Sequence, residues 1–169
     1  MVKMNRDSRH LAGFPKTISA SLSGPQQLYE RVDTHFAVHG HESKSNVQPT
    51  VEFGPERIAV YPMDRFRDFG GGSEMTPVYA LIKNGTVAVP TGKVFVRLAQ
   101  NLKFEDSAEF FRRAGYEIDQ TLSYAPNAGW LRPTSPSVAS SLAGLSKLSA
   151  VPGVDNVEPQ MLSKRANKL

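Results

Sequence analysis

The chain has no cysteine among its 169 residues. That excludes disulfide scaffolds, iron–sulfur clusters, thiolate zinc sites and cysteine nucleophiles. It has no apolar run near the roughly 18 residues that a membrane-crossing helix needs. The opening MVKMNRDSRHLAGFPKTISASLSG has no continuous apolar core, so no secretory signal is read and a cytoplasmic location is expected. There is no G-x-S-x-G, no phosphate loop and no G-x-G-x-x-G after a strand. All four histidines, His10, His35, His39 and His41, fall before residue 49, and no carboxylate pair stands out after it. The expectation is a protein that is not an enzyme and carries no cofactor. Asp33, His35, His39, His41 and Glu42 crowd together in sequence, but Gly40 would break a helix presenting them, so the segment reads as polar and solvated rather than as a metal site.

What is present is a modest basic excess, net +4 with a sequence pI near 9.4. Its placement matters more than its size. Residues 1–48 hold six basic and four acidic side chains, residues 49–162 eleven and twelve, and residues 163–169 three and none. The middle of the chain is close to neutral. A nucleic-acid binder is expected to carry its positive stripe on the fold, so no nucleic-acid partner is expected, and no membrane partner either.

Four segments follow from patterning. Residues 1–48 read as a flexible N-terminal extension whose only periodic patch, Pro25 to Val38, has Leu28, Val32 and Phe36 at helical spacing. Residues 49–92 read as a β-rich region: Thr50–Phe53 and Arg57–Tyr61 around Gly54-Pro55, then Val78–Lys83 and Thr86–Val89 around Asn84-Gly85, a strong hairpin signal. Thr91-Gly92 reads as a turn into the next strand. Residues 93–162 alternate most clearly. Val94, Val96 and Leu98 mark a strand, Phe104 to Ala114 a helix stopped by Gly115, and Tyr116, Ile118, Leu122 and Tyr124 a half-buried strand. A short strand at Trp130–Arg132 follows. Ser135-Pro136 then opens a helix carrying Val138, Leu142, Leu145 and Leu148, and Val154–Pro159 is a last strand. The order β-α-β-β-α-β predicts an α+β, ferredoxin-like unit: an antiparallel sheet with two helices on one face and the other face open. Residues 163–169 form a basic C-terminal tail.

Gly92-Lys93-Val94-Phe95-Val96-Arg97-Leu98, a helix ending Ala114-Gly115, Leu122-Ser123-Tyr124-Ala125-Pro126, and Val151-Pro152-Gly153-Val154-Asp155-Asn156-Val157-Glu158-Pro159 occur in order. The stretch Thr91–Leu162 thereby resembles the propeptide, or peptidase-inhibitor, domain of subtilisin-like serine proteases, of the fervidolysin-like prodomain type, without the protease domain. The resemblance implies a stand-alone inhibitor or folding chaperone acting on a separately encoded subtilisin-like protease. It implies that the open sheet face packs on the protease, with Asp155 and Glu158 near the N-termini of two of its helices, where unpaired N–H groups favour negative charge. It further implies that a tail of Gln160, Met161, Leu162, Ala166, Asn167, Lys168 and Leu169 enters the substrate cleft as an added strand. The alternatives are a non-inhibitory protein docking module and an RNA-binding ferredoxin-like domain. Oligomeric state is not read from the sequence.

Overall fold

A computed structural model describes residues 10–41, 46–70 and 72–164. Among these residues the protein is mixed α+β, with nine strands that are mostly antiparallel and helices that are few and short. The strands are β1 (Thr17–Ser19), β2 (Leu28–His39), β3 (Val51–Phe53), β4 (Ile58–Pro62), β5 (Met75–Leu81), β6 (Val87–Leu98), β7 (Tyr116–Thr121), β8 (Ala128–Pro133) and β9 (Val154–Leu162). The helices are α1 (Ala108–Arg113), α2 (Val138–Ala143) and α3 (Leu145–Ser149), with 3-10 segments at Met63–Asp68 and Phe104–Ser107. Among the described residues no helix is long and apolar enough to cross a membrane. Pairing runs β3-β4-β2-β5-β6-β8-β7, with β1 on β2 and β9 on β6.

The chain divides into two compact units, one of Met1–Thr17, Tyr29–Val89 and Leu162–Leu169, the other of Ile18–Leu28 and Pro90–Met161. In the first, β2 lies between β4 and β5. Alternation along these strands sends side chains to two faces, and both faces are buried. Phe36, Val38, Ala59 and Tyr61 join Leu11, Met63 and Phe66 in one cluster. Ala37, Ile58, Val60, Val78 and Val89 join Val51 and Phe53 in another.

This corrects the helical reading of Pro25 to Val38. Leu28, Val32 and Phe36 sit on a strand, and the described part of the segment expected to be loose supplies core residues. A spacing of four is also a multiple of two, so it fits a strand face as well as a helix face. The ladder slips between Val32 and Phe36, which blurs the alternation further. A second correction concerns Thr91-Gly92. The chain does not turn there; β6 continues from Val87 to Leu98. Gly92 takes a φ of +93°, which glycine adopts without strain, and Thr91 Oγ1 accepts the Lys93 N–H at 3.1 Å, so the positive φ falls within the strand.

In the second unit the element order is β6, α1, β7, β8, α2–α3, β9, and the strands lie in the order β9-β6-β8-β7. One core fills the space between helices and strands: Val94, Val96 and Leu98 of β6, Tyr116, Leu131 and Val157 from the other three strands, and Phe104, Phe111 and Leu148. Two glycines let it close. A Cβ on Gly129 would stand 2.5 Å from the Phe104 ring and 2.7 Å from the Gln120 carbonyl oxygen. A Cβ on Gly144 would stand 2.6 Å from the Tyr116 hydroxyl. That hydroxyl donates to the Ser141 carbonyl, and burial pushes its pKa up to about 12. The helix after β8 starts two residues later than Ser135-Pro136 suggests: Ser137 is the cap, accepting the Ser140 N–H at 3.3 Å.

Candidate functional site

The core of the second unit takes alternate residues of its strands, which leaves the residues between them on the face away from Phe104, Phe111 and Leu148. From β6 these are Lys93, Phe95 and Arg97, between buried Val94, Val96 and Leu98. From β8 they are Trp130 and Arg132, on either side of buried Leu131. Phe95 and Trp130 are directly paired across the ladder. Their ring centroids are 5.4 Å apart at 62°, an edge-to-face contact that leaves both half-buried. The chain's single tryptophan therefore sits at the middle of this face, on its two central strands.

Charge frames the aromatic pair on the β7 side. Arg132 Nε meets Glu117 Oε1 at 2.7 Å, and Lys93 Nζ meets Asp119 Oδ2 at 3.0 Å. Arg132 Nη1 is a further 3.9 Å from Asp119 Oδ1. These pairs are partly exposed, so each contributes at most about 1 kcal/mol; their effect is to fix side-chain directions on the face. Lys93, Arg97 and Arg132 balance Glu117, Asp119 and Glu158, which leaves the face near neutral.

On the β9 side the groups are uncharged amides and one carboxylate. Asn156, Glu158 and Gln160 alternate with buried Val157 and Pro159. Thr91 Oγ1 donates to Gln160 Oε1 at 2.7 Å. Asn156, only 2% exposed, is the hub. Its Oδ1 accepts from Ser21 Oγ at 2.8 Å and from the backbone N–H groups of Leu22 and Ser23, each at 3.1 Å. Its Nδ2 donates to Glu158 Oε1 at 2.8 Å. One buried side chain thus clips the 20–24 loop beside the Glu158 carboxylate, and the loop presents Leu22, 54% exposed.

Of the residues that the family resemblance singles out, Asp155 is exposed, while Glu158, Gln160, Met161 and Leu162 are half-buried on β9. Glu158 and Gln160 share the Phe95–Trp130 side. Leu162 does not: it packs against the Val51–Phe53–Val60–Val89 cluster of the first unit, and the Lys164 ammonium lies 5.7 Å from the Phe53 ring centroid. Ala166, Asn167, Lys168 and Leu169 lie outside the described residues. Asn156 and Trp130 belong to the site although the sequence marks neither as a site residue. For Trp130 the signal was available, because a lone tryptophan on a strand paired with the Phe95 strand is conspicuous once the pairing is known. Nothing in the sequence marks Asn156 as a hub, since the three donors to its Oδ1 stand more than 130 positions away.

The histidines are dispersed among separate contacts. His39 Nε2 is 2.9 Å from Thr76 Oγ1, and burial lowers its pKa to about 4. His41 Nδ1 is 3.1 Å from the Tyr61 hydroxyl, and His35 Nδ1 is 2.9 Å from Thr34 Oγ1. Among the described residues no three His, Asp or Glu side chains are grouped to hold a metal; Glu42 lies outside them. Comparison with protein-family models, with curated proteins and with solved structures finds no match.

Proposed function

We propose that the chain is a propeptide-like inhibitor or folding chaperone of a subtilisin-like serine protease, docking through the helix-free face of its second unit. The reading takes residues 93–162 as a ferredoxin-like unit, for which the strand order β9-β6-β8-β7 with helices on one side is the expected arrangement. The observation that carries it is the composition of the open side: a half-buried Phe95–Trp130 pair in the centre, with the Glu158 carboxylate on the neighbouring strand. An apolar centre flanked by a carboxylate fits two packed helices presented end-on. The rings cover their side chains, and Glu158 accepts from their unpaired N–H groups. Asp155, exposed at the start of the same strand, alternates to the opposite side from Glu158, so Glu158 carries the helix-capping role on this face. Residues beyond Leu162 then add an extended strand to the enzyme's cleft.

The test is steady-state inhibition of a subtilisin freed of its own propeptide. Glu158→Gln is expected to weaken inhibition about 2- to 30-fold, the range for a carboxylate at a helix N-terminus. Trp130→Ala is expected to weaken it further, and Arg113→Gln, on α1, to leave it unchanged. Equal inhibition by all four proteins, or none by the native chain, contradicts the reading.

One observation favours a second reading. Aromatic rings side by side on the two central strands of such a sheet are also what stacks the bases of single-stranded RNA. Against it, two of the three nearby cations are paired to Glu117 and Asp119. Quenching of Trp130 fluorescence by single-stranded oligonucleotides, steeply weakened by salt, would select it over protease binding.

A further inference from the structure

Leu162 and Lys164 mark the point where the chain leaves β9, and both belong to the first unit. Leu162 packs on the cluster built from Val51, Phe53, Val60 and Val89. Lys164 closes a slot lined by Val51, Phe53, Val60, Val87 and Val89, its ammonium set over the Phe53 ring. The remaining cavity is about 10 Å³, room for no more than about one water. The slot is therefore already filled by the groups that line it, and its occupant is known: the chain's own segment.

We infer that this face of the first unit is a docking site for residues 162–164, and that it competes with a protease cleft for the start of the tail. The first half stands on the contacts just described; the second rests on the protease reading. The hold is light. Lys164 is exposed and Leu162 only half-buried, and a cation–π contact at such a site shifts an equilibrium only about two- to five-fold. A segment held this way is displaced when a partner binds it more tightly, and the partner's apparent affinity falls by the fraction of time the segment is held. This gives a role to the β-rich first unit, which the propeptide resemblance leaves without one.

Two measurements separate the halves. Trypsin cuts after Lys164 and Arg165, and cutting requires the segment to leave the slot. Phe53→Leu keeps the slot apolar but removes the ring under the ammonium, so cleavage is expected about two- to five-fold faster. Leu162→Ala is expected to be faster still. Lys164→Gln, followed by cleavage after Arg165, gives the same comparison without touching the core. Unchanged rates in all three variants, with native melting curves, overturn the docking site. Inhibition of subtilisin is then read for Phe53→Leu, whose tail is intact. Inhibition tightened two- to five-fold supports competition, and unchanged inhibition overturns it. Faster trypsin cleavage with no inhibition by any form, native included, supports the docking site and sinks the protease reading on its own.

Discussion

Replacing Asn156 by alanine removes one oxygen that serves three donors, and the structure says how much that oxygen is worth. Ser21 Oγ and the backbone N–H groups of Leu22 and Ser23 all converge on it within 3.1 Å. The donors are partly exposed, so water replaces part of what is lost, and the sum falls at about 2–3 kcal/mol rather than at the full worth of three buried bonds. For a chain of this length that is a melting-temperature drop of roughly 4–12 °C. The loss is local first. The Leu22 amide donates to this oxygen, so its hydrogen exchange is expected to accelerate about 30- to 150-fold; the Ser23 amide, which also donates to Ser21 Oγ at 3.3 Å, is expected to accelerate less. Asn156→Asp makes the sharper comparison. It keeps an acceptor for all three donors, so protection at Leu22 and Ser23 is retained at neutral pH. It also loses the donor to Glu158 and sets a second carboxylate beside it, so one of the two carboxyls titrates upward. If Asn156→Ala leaves both amides as protected as before, the loop is held by something else and the hub assignment is wrong.

Other outcomes follow from the same contacts. Gly129→Ala drives a methyl into the Phe104 ring and a backbone oxygen and is expected to cost about 3 kcal/mol or more, seen as loss of the folded fraction in urea. Tyr116→Phe removes one of two donors to the Ser141 carbonyl, which keeps the Gly144 N–H at 3.3 Å, a cost of about 1 kcal/mol in a denaturant titration, with packing otherwise intact. His39 has a folded pKa near 4, below the ordinary 6.5. Between those values the unfolded chain binds more protons, so stability is full above about pH 6.5 and declines by about 3 kcal/mol on acidification to pH 4. In melts across that pH range, His39→Gln is expected to flatten the slope; a variant as acid-sensitive as the native chain would assign the slope to other groups.

Residues 93–162 were legible because their alternation is strict and their breaks are strong. Val94, Val96 and Leu98 point inward and Gly115 and Pro152-Gly153 follow helices, but β7 ends at Thr121, so Leu122 and Tyr124, read as part of that strand, lie beyond it, with Tyr124 83% exposed. The first ninety residues were less so, for two physical reasons. The Leu28–Val32–Phe36 spacing fits both periods, and in β2 the residues 36, 37 and 38 are all buried because both faces of that sheet are covered, which erases alternation. Thr91-Gly92 reads as a turn, yet β6 runs through it from Val87 to Leu98. The candidate site was legible only in pieces. Glu158 stood out in a motif, but Phe95 meets Trp130 only through strand pairing, and Asn156 meets Ser21 only through the fold.

The most direct test of protease docking is a hydrogen-exchange map of the chain with and without a catalytically inactivated subtilisin. Protection is expected at residues 93–97, 128–132 and 154–160, with α1, α2 and α3 unaltered. Protection confined to the helices, or no change along the chain at saturating protease, would contradict it.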